Sequence, residues 1–244
     1  MRFNGIDLRT AHPALSINKE IYPGMARRDV TTVRGNRGET LAGYMEERSE
    51  AVIRVNIGAK TRGEAYEARA ALAAWAASSG EKAAPLEPTH WPGKAYDAIA
   101  AGISEPEFTF GHATIEVTFI LPSGRAYDTT LSRASGMGEM TMRVGGSGRV
   151  HPIIRQTMAE KTSSLIWLAQ GIPFLRLTDG YAPEAGTVIE ADFERGSLTA
   201  NGEHIEQYID YTLTTWQPAL YPGRHYITSS DKGMMEAKWH NEWI

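Results

Sequence analysis

Three carboxylates recur at every second position in Glu190, Asp192 and Glu194. Period two places alternate side chains on one face of a strand, so the three read as a row. Paired carboxyl groups run glycoside hydrolysis, one protonating the leaving oxygen while the other attacks or activates water across the sugar. That chemistry needs the two groups to flank a cleft, and a single strand supplies a row instead. Alternating acids more often line the solvated face of a sheet, and no catalytic residue is expected here. The seven histidines (His12, His90, His112, His151, His204, His225 and His240) form no H-x-x-x-H or H-E-x-x-H spacing, so no metal ligands are expected. The chain has no cysteine, which excludes disulfides, thiolate metal sites and a cysteine nucleophile. Gly145-Gly146-Ser147-Gly148 lacks the lysine of a phosphate loop and reads as a hairpin tip; no cofactor is implied. The late aromatics remain. Trp239 alternates with Met235 and Ala237 and belongs to a core, whereas Trp216, Tyr221 and Tyr226 are candidates for contact with a sugar or a partner.

The elements that would position these residues are mostly short strands. Ala51, Ile53, Val55 and Ile57 alternate with polar neighbours, as do Ala113, Ile115, Val117 and Phe119. Ile205 to Leu213 alternates in the same way. Met235, Ala237, Trp239 and Trp243 oppose Glu236, Lys238, His240 and Glu242 in a last strand. Arg195-Gly196, Asn201-Gly202 and Ser230 to Gly233 predict hairpin turns, and Pro222-Gly223 a type II turn with Gly223 at positive φ. Thr187 to Ile244 therefore reads as an antiparallel meander. One segment is helical, about Arg62 to Ser78. Thr61 can cap it, Glu64 completes a capping box, and Ala65, Tyr66, Arg69, Leu72, Ala73, Trp75 and Ala76 form a broad face.

The composition is that of a globular chain: 42% hydrophobic, 22% charged, net charge -4 over 244 residues. No basic excess exists to track a phosphate backbone, so nucleic-acid recognition is not expected. Met1 to Leu8 has no apolar signal core, and no apolar run approaches the ~20 residues of a membrane helix, so no membrane partner is expected. The stretch Leu121 to Gly138, rich in Gly, Ser, Thr and Pro, divides the chain. We place an N-terminal domain at 1–130 and a C-terminal domain at 131–244. Arg34 to Gly43 reads as a polar, glycine-rich loop.

In order along the chain come a strand near Val30 to Val33, the run RGNRGE, the strand AVIRVNI, the helix TRGEAYEARAALAAW and the strand ATIEVTF. Then follow TVIEADFERGSLTANGEHI, WQPALYPGRHYI with its Leu-x-Pro-Gly, and GMMEAKWHNEWI. This succession resembles the distal tail proteins of siphophages over nearly the whole chain. The resemblance implies a mainly β, two-domain protein. Its N-terminal module would be β-sandwich-like with one helix and would form a hexameric ring. Its C-terminal module would be a galectin-like antiparallel β-sandwich. It implies a structural hub of the virion tail tip, assembled in the host cytoplasm, with the tail tube protein, a tip or baseplate hub protein, the tape measure protein and receptor-binding proteins as partners. The loops are of ordinary length, which favours a simple hub over one with grafted arms.

A ring needs heterologous contacts, one patch meeting a different patch on the neighbour. Arg34, Gly35, Asn36, Arg37, Gly38 and Glu39 are the expected ring-interface residues. Two other functions stay open on the sequence: a carbohydrate-binding module using the C-terminal sandwich for host attachment, and a hydrolase, which would show a cleft with carboxylates from different strands.

Overall fold

The computed structural model describes residues 1–23, 28–35, 38–46, 49–109, 112–178, 180–212 and 219–244, with 28–35 and 38–46 described by their backbone alone. Two units result, 1–127 with residue 244, and 128–243. The first opens on a two-residue hairpin between β1 (Arg2–Phe3) and β2 (Ile6–Asp7). Asn4 (φ 50°) and Gly5 (φ 76°) supply the positive pair that a type I′ turn requires. There follow α1 (Leu8–Ala11), β3 (Leu15–Ile21), β4 (Arg28–Gly35), β5 (Gly38–Glu46), β6 (Ser49–Ile57), α2 (Arg62–Ala76), β7 (Ala84–Glu87), β8 (Lys94–Ile103), β9 (Glu107–Thr109), β10 (His112–Leu121) and β11 (Ala126–Asp128).

Alternation does in β6 and β10 what it predicts. Ala51, Ile53 and Val55, with Phe119, Val117 and Ile115 opposite them in that order, are wholly buried. The strand order is β2-β1-β7-β8-β10-β6-β3. β8 changes partner along its length: its first half pairs with β7 and its second half with β10, across a bulge at Thr118/Phe119, and β11 also pairs with it. The helix α2 lies where expected and ends in a 3₁₀ turn at Ala77–Ser79. Thr61 accepts from the Glu64 N–H at 3.2 Å, while the Glu64 carboxylate reaches one residue further back, to the Lys60 N–H at 2.8 Å. The buried face is Ala65, Ala68, Leu72, Trp75 and Ala76. Tyr66 and Arg69, assigned to that face from spacing, lie outside it: Tyr66 is 51% exposed and the Arg69 guanidinium pairs with Glu105 at 2.9 Å.

The second unit is a sandwich of two antiparallel sheets. Its strands are β12 (Ser132–Met137), β13 (Glu139–Val144), β14 (Ile153–Thr157), β15 (Ile166–Ala169), β16 (Ile172–Arg176), β17 (Val188–Asp192), β18 (Ser197–Ala200), β19 (Glu203–His204), β20 (Gly223–Ser229), β21 (Met234–Trp239) and β22 (Glu242–Trp243). One sheet runs β12-β21-β14-β17-β18-β19 and the other β13-β20-β15-β16. Ile154, Ile189, Leu198, Met235 and Trp239 from the first meet Met140, Met142, Trp167, Leu175 and Ile227 from the second in one core. Mainly β architecture in antiparallel sheets, with one long helix, is thus the observed fold class among the described residues.

Several local expectations need correction. Ser230 to Gly233 joins no hairpin, because β20 and β21 belong to different sheets. The reason is Asp231. Its buried carboxylate accepts from Gly233 N (2.7 Å), Ala159 N (3.0 Å) and Gln156 Nε2 (3.2 Å), turning the chain across the sandwich instead of back along it. Gly145 to Gly148 is likewise a crossing between sheets and not a hairpin tip; Ser147 N and Gly148 N both donate to the Glu242 carbonyl at 2.9 Å. The expected meander survives only from β17 to β19. Ile205 to Leu213 is not a strand over its described part: a 3₁₀ turn occupies Glu206–Tyr208, so that Ile205 and Ile209 are buried four apart. Gly223 has positive φ (143°) but opens β20 rather than completing a type II turn. Trp243 lies on the separate β22. Arg34 to Gly43 is mostly strand, the facing ends of β4 and β5, with Arg34 paired to Glu39 and Gly35 to Gly38.

Candidate functional site

The expected ring residues therefore stand at a hairpin end. Arg34, Gly35, Gly38 and Glu39 belong to its strands, and Asn36 and Arg37 lie outside the described residues. Elsewhere in the first unit the Glu20 carboxylate is only 5% exposed. It accepts from the Thr89 hydroxyl, from the Thr89 N–H at 3.2 Å and lies 2.9 Å from His90 Nδ1, fastening the end of β3 to the segment after β7. Burial, then the Glu20 charge, pushes the neighbouring Tyr22 phenol far above its ordinary value, so it stays protonated. These contacts make Glu20 a structural clamp.

In the second unit the three aromatic candidates separate. Trp216 lies outside the described residues. Tyr221 is 63% exposed, and Tyr226 is 45% exposed on the outer face of the four-stranded sheet. The Tyr226 hydroxyl donates to Glu139, and this bond, followed by desolvation, raises its pKa. Two positions along from the Thr141–Tyr226 pair, Arg143 and Arg224 face each other in register.

The carboxylate row is shorter than its spacing suggests. Glu190 and Asp192 lie on β17, but Glu194 is in the following turn, beyond the strand end. Asp192 Oδ1 accepts from Glu194 N (3.1 Å) and Arg195 N (3.0 Å), and so shapes that turn. Glu190 alone faces an open feature, a groove of about 420 Å³ on the outer face of the six-stranded sheet. Register explains its lining. Ser135, Glu236, Arg155 and Glu190 follow one another across β12, β21, β14 and β17, and beside that row Arg133 faces Lys238. A second hollow of about 440 Å³ continues from Arg155 and Glu190 to Thr199 and Asn201. Glu190 and Glu236 do come from different strands of one cleft, the arrangement a hydrolase would show. Arg155 stands between them, and the surroundings are charged, unlike the apolar setting that keeps one carboxyl group protonated for acid catalysis.

Among the described residues no group of three or more His, Asp or Glu side chains could hold a metal, and no helix is long and apolar enough to cross a membrane. Neither the groove nor the Glu20 cluster was legible in sequence. Arg133, Arg155 and Lys238 are ordinary outward positions of three strands until pairing sets them side by side, and Arg155 sits in the short strand IIRQT, whose two leading isoleucines blur the alternation.

No family model matches the sequence, and no curated protein matches it. Solved structures do. The Dit protein of phage SPP1, described as a paradigm of the hub adsorption apparatus in phages infecting Gram-positive bacteria, superimposes with a TM-score of 0.78 at 11% identity. The match covers 100% of this chain and 98% of that one. A chain of the phage P2 baseplate, in its activated conformation with Ca, matches with a TM-score of 0.51 at 9% identity, over 93% of this chain and 90% of the other. The fold expected from the order of motifs is the fold found.

Proposed function

We propose that this chain is a structural protein of the tail tip of a long-tailed phage, a hub that joins the tail tube to the tip or baseplate. The observation that carries the reading is the whole-length likeness to the SPP1 hub protein, which spans both units and leaves almost nothing unmatched on either side. A likeness in fold alone is a weak guide to chemistry. It is a better guide for a scaffold, whose task is its shape. In this reading the first unit builds a hexameric ring. The strands β2 and β3 stand at the two opposite ends of its sheet order and differ in length and sequence, which suits the unlike patches of a closed head-to-tail ring. Its partners are further copies of itself, the tail tube protein, the tape measure protein and the tip hub, with receptor-binding proteins on the periphery. It works in the virion and assembles in the host cytoplasm.

The same reading makes the protein no enzyme. In the groove holding Glu190 and Glu236, Arg155 stands between the two carboxylates and favours binding over acid catalysis. The mass in solution tests the hub directly. Light scattering and electron microscopy of the purified chain should show six-fold rings, alone or once the tail tube protein is added. A monomer that forms no ring with tube or tip proteins at high concentration would remove this assignment.

A further inference from the structure

The groove on the outer face of the six-stranded sheet gathers five charged side chains: Arg133, Arg155, Lys238, Glu190 and Glu236. Among the described residues none of the five is joined to another group by an ion pair or a side-chain hydrogen bond. Arg133 and Lys238 stand directly opposite each other, and like charges so placed work against the sheet. Neither has an acid across the ladder to offset this: the other neighbour of Lys238 is Ile153. Arg155 has a carboxylate opposite it on each side, Glu236 and Glu190, so folding leaves the Arg133–Lys238 pair as the cations with no acid across the ladder.

We infer that this groove is a binding site for an anionic carbohydrate polymer, one that carries a phosphodiester or carboxylate beside free hydroxyl groups. Each part of the lining has a counterpart in such a chain. Arg133 and Lys238 meet the anionic group, where a planar guanidinium can bind two oxygens at once. The Glu236–Arg155–Glu190 row offers acceptors and a donor for hydroxyls, and Thr199 and Asn201 extend it in the second hollow. The two hollows together cross five strands, from β12 to β18. At the ~4.8 Å spacing of neighbouring strands that is roughly 19 Å, a length suited to several linked units and not to one small ion.

Other occupants fit worse. A protein partner seated here would bury unpaired charges in the middle of its contact, where interfaces are depleted of them. A nucleic acid would meet three cations and two carboxylates, with no aromatic residue in the lining on which a base could stack. The surface differs from the aromatic one around Tyr221 and Tyr226 that the sequence suggested. The inference does not depend on the ring, since every residue in it belongs to the second unit.

The test titrates the full chain, by calorimetry at low salt, with poly(glycerol phosphate), polygalacturonate and neutral dextran. Binding is expected to one anionic polymer, which identifies the acidic group, and not to dextran. R133A/K238A should weaken it at least ten-fold. R143A/R224A removes the same charge from the other sheet and should leave affinity within two-fold. Removing opposed cations should not lower the melting temperature, and R133Q/K238Q provides a second, longer replacement. No binding to either anionic polymer, equal losses in the two double variants, or retained binding by both R133A/K238A and R133Q/K238Q would overturn the proposal. Capture of a tail protein that is lost in R133A/K238A, without polymer binding, would assign the groove to assembly instead.

Discussion

In the first unit the largest core side chains meet ring to ring: Phe3, Trp75 and Phe119 lie with centroids 5.0–6.0 Å apart, and Trp75 Nε1 donates outward to the Ile6 carbonyl at 2.9 Å. In the second, Trp167 is as deeply buried but belongs to a polar chain. Its Nε1 donates to Gln156 Oε1, Ser229 Oγ donates to the same oxygen at 2.8 Å, and Gln156 Nε2 donates to the Asp231 carbonyl at 3.0 Å. An apolar cluster accepts any side chain of similar size and shape. A buried polar chain is satisfied only when each partner arrives, and fails as a group otherwise. The core of the first unit is therefore held by filling space, its polar clamp at Glu20 lying outside that aromatic cluster, and the core of the second by filling space and by fixing where β14, β15, β20 and β21 must meet.

Substitutions can break or sharpen that contrast. Trp167→Ala should have the largest effect, about 4–5 kcal/mol, because it leaves a cavity and removes one of the two donors to the buried Gln156 oxygen. Trp75→Ala should cost about 3–4 kcal/mol, chiefly from the cavity, with the indole bond to the Ile6 carbonyl lost as well. Chemical denaturation gives the totals, and hydrogen exchange should show that Trp167→Ala unprotects β14 and β20 while β6 and β10 keep their protection. Equal loss across both units would mean that they open as one. Asp231→Ala should cost about 3 kcal/mol, since it orphans the N–H groups of Gly233 and Ala159. If Asp231→Asn were as stable as the parent, the charge would be dispensable and only the acceptor would matter.

Gly202→Val is a smaller perturbation. Space around Gly202 is open, so only its φ of 86° resists a branched side chain, at about 1–3 kcal/mol. The smallest effect concerns acid. Partial burial raises the pKa of Glu206, but hydrogen bonds with His204 and the Leu198 N–H more than offset this, leaving it below the ordinary carboxylate value. A lowered folded pKa contributes stability above the ordinary Glu value that is lost as pH falls through the lowered one. The site is near the surface, so the loss should be roughly a few tenths of a kcal/mol. Glu206→Gln should flatten the stability profile below about pH 4.

Legibility in sequence followed the range of the interaction. The alternation in β6 and β10 and the turn at Asn201 (φ 50°) and Gly202 needed only neighbours along the chain, and each was readable. Ser230 to Gly233 had the composition of a hairpin because its composition is local, whereas the groups that turn Asp231 inward, Gln156 and Ala159, lie over seventy residues away. The groove is further removed still. It needs the register of four strands, and one outward charge looks like another until those strands are side by side.

β21, near the end of the chain, lies between β12 and β14, and its Trp239 pairs with Ser132 at the start of the second unit. A ribosome extrudes the chain from the other end. β12 therefore waits, with no neighbour in its sheet, while nearly the whole of its unit is made, on the order of 5–20 s at ~5–20 residues per second. In that interval the first unit can close while β12 and one side of β14 remain open strand edges. Nascent chains crowded on one message would then meet with one half finished and the other still able to pair with a neighbour. Slow release or premature termination before Met234 should consequently appear as aggregation rather than as a shortened, folded protein.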